Sequence, residues 1–478
     1  MGDFSMARVV ICTETPVRKD TCRVAFRCAT ERDRCGLSHS PLPHGSKPPK
    51  GIGGWMVSRI PAWVAGAVFL GTLPLSGAVA QSAAGISRQD VERGMTVASR
   101  QRRDYNPLGV RLGAFTLNAL ADGGPGFDSN LLGTKSNKTS DGFMDESASV
   151  SLDSDWSRHG VGVSGNMDAR QYFTNSEYDW IDWDVGTYGR YDFSSRTNAE
   201  ARYRHYRDHL DVYSIDVQSA GISRPVPYDS DEFQATGTTQ LGRVGLVGTG
   251  MHRTYRFQNV VIGGVPNLVS LNDFDTTIGA LGTSYAFSQG RFANVIFRVQ
   301  DISYQKEVSR GRDSFTWEVL GGFTYDFDGV WQGRIAFGWR ERSYKDPNLK
   351  NLSGPAVEGQ LTWAPTLLTT VRFNVARTIE ESIRQDAVSF NRTAGGVGVD
   401  HELRRNIILS GDFRADYRQY TSPTQTAFDG IFTATARYLL NRNMSVIGTY
   451  AYSRRFEASN GLPEYDRNLF QVRLRVAL

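Results

Sequence analysis

The chain has 478 residues, of which 40% are hydrophobic and 22% charged, with 54 Lys and Arg against 50 Asp and Glu. A mean hydropathy of −0.38 excludes a multi-span helical membrane protein, which needs repeated apolar runs of roughly 18 residues or more. The four cysteines, Cys12, Cys22, Cys28 and Cys35, all lie near the start, and their spacing is not the short pairing of a zinc site.

In chain order, residues 1–55 are rich in Arg and Pro and precede a start-like Met56. They read as a mis-called N-terminal extension, with Met56 the true start. Residues 56–80 have the layout of an export signal: Arg59, an apolar core from Val64 to Leu75, and the small-x-small site Ala78-Val79-Ala80. The first 80 residues hold ten Lys or Arg and five Asp or Glu, which leaves 44 basic and 45 acidic residues in the remainder. The basic balance therefore belongs to the leader and does not indicate nucleic-acid binding. Of those 44, only Lys135, Lys138, Lys306, Lys345 and Lys350 are lysines; the rest are arginines, whose planar forks suit carboxylates, phosphates and sugar hydroxyls. Residues 81–107 are polar and read as a periplasmic segment.

From Leu108 to Leu478 the sequence alternates apolar and polar residues, as in Phe315, Trp317, Val319 against Thr316, Glu318, or Val371, Phe373, Val375 against Thr370, Arg372, Asn374. Period 2 is the signature of a strand with two unlike faces. Eighteen such segments fit in 371 residues, roughly 20 residues per strand and connection, as expected for tilted membrane strands. The prediction is an all-β, transmembrane, antiparallel up-and-down β-barrel over 108–478. Short connections are expected at 157–158, 194–196, 242–243, 288–290, 328–329, 365–366, 404–405 and 441–443. Longer loops are expected near 132–145, 174–179, 208–230, 259–272, 305–313, 345–355, 379–388, 421–427 and 457–466. An even strand count puts both termini in the periplasm. Gly123, Gly124, Pro125 and Gly126 would bend or break the first strand, and losing it with its partner would give 16 strands.

Parity assigns a polar set to the lumen: Asp153, Asp155, Asp168, Arg170, Asp182, Asp184, Arg190, Arg202 and Arg204 on early strands, then Glu318, Arg334, Arg340, Arg372, Asp412, Arg414, Asp416, Gln471, Arg473 and Arg475. The early strands lean acidic and the later ones basic, so facing walls would set a field across a channel. Such residues could equally only stiffen the wall. Trp156, Trp180, Trp183, Tyr191, Phe193, Trp331, Trp363, Tyr438, Tyr450 and Tyr452 are expected to face outward near the strand ends, at headgroup level. His205 and His209 have a helical metal spacing, but on a strand they stand roughly 13 Å apart. No Ser/His/acid grouping and no phosphate-binding glycine loop stands out, so neither an enzyme, a metal site nor a cofactor is expected.

The last strand sets Phe470, Val472, Leu474, Val476 and Leu478 on one face against Gln471, Arg473 and Arg475. It resembles the C-terminal strand of bacterial outer-membrane barrels, which implies recognition by the barrel assembly machinery, though such signals usually end in Phe or Trp rather than Leu. The Arg-rich lead into Tyr105, Pro107, Leu108, Gly109, Arg111, Gly113 and Phe115 is similar to the entry of a porin-like outer-membrane barrel family often encoded in exopolysaccharide biosynthesis clusters. Asp128, Ser129 and Asn130, with the hairpin VSLDSDWSRHGVGVSG, extend the resemblance over about 97–478. The resemblance implies an outer-membrane location in a Gram-negative bacterium and a role in export or surface assembly of an exopolysaccharide. Its implied partners are lipid, polysaccharide and periplasmic export components; it supplies no catalytic residues. A general diffusion porin for small polar solutes and a non-conducting envelope scaffold are the alternatives.

Overall fold

The computed structural model describes residues 96–478 except Gly263, Asp328 and Asn460. The N-terminal extension, the export signal and residues 81–95 lie outside the described residues. Eighteen antiparallel strands close into one barrel. They are β1 (Phe115–Asp128), β2 (Asp141–Ser154), β3 (Gly160–Tyr172), β4 (Trp180–Ser194), β5 (Thr197–Leu210), β6 (Val226–Leu241), β7 (Val244–Phe257), β8 (Phe274–Ser288) and β9 (Arg291–Tyr304). The second half comprises β10 (Ser314–Phe327), β11 (Trp331–Tyr344), β12 (Leu352–Thr366), β13 (Thr369–Glu381), β14 (Ser389–Arg404), β15 (Ile407–Thr421), β16 (Thr424–Leu439), β17 (Met444–Ala458) and β18 (Asp466–Ala477). A short strand, Val110–Leu112, doubles back on the start of β1.

The alternation has the physical cause expected of it. Val163, Leu281, Phe323, Phe337 and Val472 stand out from the wall and are 52–67% exposed. Side chains of the other parity, such as Arg170, Arg298, Glu318 and Arg473, are 2–4% exposed and face inward. Exposed apolar side chains in this number need lipid to cover them, since water would not tolerate so continuous a belt.

Beta1 survives its glycines and proline. It pairs with β2 along its whole length, including Pro125 opposite Met144. On its other side it pairs with β18 from Leu120 to Gly123 and again from Gly126 to Asp128, skipping Gly124 and Pro125. The missing proline N–H thus falls where the seam carries no ladder bond. A Cβ at Gly126 would run into the Phe143 ring and the Phe470 carbonyl, so the close approach of β18 requires glycine there.

One expected loop is absent. Around 421–427 the strands continue to Thr421 and resume at Thr424, which pair with each other across Ser422 and Pro423. The Thr421–Thr424 pair closes a tight connection there in place of a long one. The other expected long connections are present, and the start of β1 and the end of β18 lie at the rim that carries the short turns. Interior side chains also bridge strands that are not neighbours: Arg298 on β9 reaches Glu358 on β12 at 2.8 Å. On the same four strands, β9–β12, Ile296, Leu320, Ala336 and Ala356 form an interior apolar cluster.

Candidate functional site

The interior is built from arginine–carboxylate pairs on inward positions. On the early strands, Arg170 donates to both oxygens of Asp145 at 2.7 and 2.9 Å and stacks 4.1 Å over the Phe143 ring. Arg204 donates to Asp184 at 2.8 Å, and Asn166 donates to the same carboxylate. Asp153 accepts from Ser151 and Tyr188. Arg190 meets Asp192 at 3.2 Å, and Arg202 pairs with Glu200. Asp168 lies opposite Asp182 in the ladder. Asp155 falls beyond β2, in the turn, where it pairs with Arg111 at the exposed rim.

On the later strands, Glu318 binds Arg298 at 2.6 Å and also Arg340. Arg334 lies on the same face, opposite Gln360. Arg392, Arg414 and Arg418 surround Asp416. Arg473 and Arg475 converge on Asp122 across the seam. Gln471 is 3% exposed, and among the described residues neither its amide nitrogen nor its oxygen has a hydrogen-bond partner. Arg372 bridges Asp400 and Asp412, both at 3.0 Å.

The charges are therefore paired locally, not held apart as an acidic wall facing a basic one. Two unlike charges on adjacent strands approach within hydrogen-bond distance, and that outweighs any field across a wide lumen. Most pairs are deeply buried. Of the pairs within the wall, the most open are Arg204, with a 47% exposed side chain, and Arg372 with Asp412, at 48% and 45%, ahead of the partly exposed Arg190–Asp192 and Arg202–Glu200 pairs. These mark where the interior wall is open to water.

The rim with long loops is crossed by residues 211–225, which join β5 to β6. Within them Ser214 caps a one-turn helix, α1 (Ile215–Ser219), by accepting from Val217 N–H. Gly221, at φ +69°, ends it, with Ile222 N–H bonded back to Val217 O in a Schellman closure. Ile215 and Val217 are fully buried. The loop reaches the far wall: Asp216 accepts from Ser382 and from Tyr420 on β15, both at 2.8 Å. Arg455 on β17 donates to Tyr213 O and to Gln218 Oε1, and also binds Asp429. Gln218 Nε2 donates to the carbonyls of Leu132 and Gly133. A second bundle joins it where Arg312 donates to the carbonyls of Ser382, Arg384, Ala387 and Val388 and to Asn272. Arg312 thus ties three more loops together.

At the opposite rim, the segment before β1 inserts Val97, 1% exposed, whose N–H donates to Thr370. Arg102 pairs with Glu402 at 2.8 Å, and Arg442 donates to Arg103 O. Residues 96–103 thereby pack on the short-turn ends of β13, β14 and β16–β17.

Sequence parity missed these loop contacts. It also placed Trp180 outward, whereas its ring stacks on His209 at 4.6 Å and lies near Arg170, inside the wall. Trp180 and Asp182 share a parity, and that was the available signal. The stretch Asp128-Ser129-Asn130 acquires a role as a clamp. Asp128 binds Arg467 of β18, Ser129 exchanges hydrogen bonds with Asn468, and Asn130 donates to Asp466 O.

No curated protein sequence matches the chain. Among solved structures it is similar to a BenF-like porin from Pseudomonas fluorescens Pf-5, at 11% identity over 77% of this chain and 100% of that one, TM-score 0.43. It is also similar to the outer membrane protein OpdK of Pseudomonas aeruginosa, at 11% identity over 76% and 99%, TM-score 0.41. A mutant of the ferric enterobactin receptor PfeA from Pseudomonas aeruginosa matches at 7% identity over 75% and 80%, TM-score 0.40. Residues 103–478 match the family described as "Putative beta-barrel porin 2", which covers the whole barrel. The chain belongs to this family of porin-like outer-membrane β-barrels.

Proposed function

We propose that this barrel is a gated outer-membrane conduit for carbohydrate, serving export or surface assembly of an exopolysaccharide in a Gram-negative envelope. The long-loop rim faces the cell exterior, and the short turns, both termini and residues 96–107 face the periplasm and its export components. The barrel assembly machinery inserts it, lipid surrounds it, and nucleic acid is not a partner. The observation that carries this reading is loop 211–225, docked across a lumen whose wall still presents half-exposed Arg204, Arg372 and Asp412. Planar arginine and carboxylate groups hydrogen-bond sugar hydroxyls, each bond worth about 0.5–1.5 kcal/mol net, weak enough for a chain to leave as well as enter.

A second reading, a non-conducting scaffold, is favoured by the number of bonds that hold the loop bundle in place. Planar-bilayer recording separates the two. The wild type should conduct weakly, and a variant with residues 214–221 replaced by a short Gly-Ser linker should open. Exopolysaccharide added on the short-turn side should then block the variant's current. A silent loop variant supports the scaffold. An open variant indifferent to polysaccharide supports a general diffusion porin for small polar solutes.

A further inference from the structure

Where β4 and β5 meet the root of loop 211–225, four side chains form a buried group outside the lumen pairs. His209 is 2% exposed, and its Nδ1 lies 3.0 Å from both oxygens of Asp182. Asp182, Asp208 and His209 each offer a ligand atom, and these atoms lie within 4.8 Å of one another. Asp211, 6% exposed, places Oδ1 at 3.5 Å from His209 Nε2. That Nε2 and the other oxygen of Asp211 are buried and have no hydrogen-bond partner among the described residues. Among the described residues no arginine or lysine ion-pairs with Asp182, Asp208 or Asp211. This sets the group apart from the carboxylates of the barrel wall that arginines neutralise. One imidazolium would balance only one of three buried carboxylates.

We propose that Asp182, Asp208 and His209 Nδ1 bind a divalent cation of the Zn2+ or Mn2+ type. An imidazole nitrogen with carboxylate oxygens suits such ions, whose bonds of about 2.0–2.2 Å would draw the three ligand atoms closer together. The ion balances Asp182 and Asp208 and leaves the imidazole neutral. Nε2–H then donates to Asp211, the carboxylate–histidine–metal arrangement that fixes a ligating ring. The supporting contacts are already in place. Tyr228 hydroxyl donates to Asp208 Oδ2 at 3.2 Å and His209 N–H donates to Oδ1 at 2.8 Å, leaving a lone pair on each oxygen. Trp180 stacks on the imidazole. Because Asp211 opens the loop that crosses the mouth, the ion fastens the root of that loop to the wall.

The test uses tag-free, full-length protein purified from outer membranes, stripped with a chelator and titrated calorimetrically with Zn2+ and with Mn2+. One saturable equivalent is expected. It should be lost in His209→Gln and in Asp208→Asn, weakened about 10–100-fold in Asp211→Asn, and unchanged in His205→Gln, whose imidazole pairs with Asp231 instead. Each variant is checked for folding by heat-modifiable gel migration. X-ray absorption of the Zn2+-loaded wild type should show one nitrogen-type imidazole scatterer among oxygens, a readout that needs no variant. Absence of saturable binding to the folded wild type, binding that survives His209→Gln, or a spectrum without imidazole would each overturn the site and leave a proton-bridged ion cluster.

Discussion

At the scale of single residues, the interior depends on buried charges whose partners lie on other elements. Arg455 is the sharpest case. Its side chain is 0% exposed, and its guanidinium is shared between Asp429 on the wall and Tyr213 O and Gln218 on the loop. Arg455→Ala should destabilise the barrel by about 3–5 kcal/mol, because it strands the buried Asp429 carboxylate and not only because a pair is lost. Urea titration followed by the heat-modifiable band measures it, and a loss under 1 kcal/mol would show that Asp429 finds another partner. Asp216 supplies a pH dependence. Burial raises its pKa above the ordinary 3.8, against the opposing hydrogen bonds from Tyr420 and Ser382 and the charges of Arg418 and Arg384. A raised value means the docked loop prefers the protonated carboxyl. Docking is thus strongest below 3.8 and weakens as pH rises through the higher docked-state value. Single-channel conductance should rise from acidic to neutral pH in the wild type, and Asp216→Asn should flatten that dependence. The sequence shows none of this. Asp216 sits in a segment with no period, and only the fold brings Tyr420, more than two hundred residues on, to its carboxylate.

At the scale of elements, the seam between β1 and β18 decides whether the barrel closes. Alternation made β18 legible, because one face must meet lipid and the other must not. Phe470 and Val472 are 52% and 55% exposed, and Gln471 and Arg473 are 3% and 4%. Val472→Arg should cost about 2–4 kcal/mol if the position lies near mid-membrane. Gln471 is not the free lumen position its parity suggests, since it is 3% exposed, so Gln471→Arg should also impair folding. Beta1 was harder to read. A Gly-Gly-Pro-Gly run ordinarily ends a strand, and it survives here because the break faces the closing seam. Gly126→Val should therefore block assembly, whereas Gly237→Ala, where no heavy atom of the described residues lies within 4 Å of the added Cβ, should fold. Folding yield into liposomes compares the two, and equal yields would remove the seam argument. The turn at Ser422-Pro423 and the inward Trp180 depart from the pattern for a related reason. Turn composition does not report loop length, and aromatic residues near strand ends serve either face.

At the scale of the whole molecule, the barrel wall follows from period 2, but the state of its lumen follows from loops that parity cannot reach. Of the arginines that parity places inside, Arg340 is 6% exposed and bound to Glu318, so its removal would test folding rather than passage. Arg204 and Arg372 are the two whose side chains stand about half open to water, each beside carboxylates that would remain: Asp184 for the first, Asp400 and Asp412 for the second. Replacing both with Gln removes two positive charges from the accessible wall and uncovers three negative ones. A cation then gains favourable contacts along the path and an anion loses them. In the loop-released barrel the double variant should shift the reversal potential toward cation preference under a salt gradient, with unchanged heat-modifiable migration. The shift should shrink at high ionic strength, where screening shortens the reach of each charge to about 3 Å at 1 M. An unchanged reversal potential would mean that ions pass elsewhere, and the half-exposed pairs would then be wall structure alone.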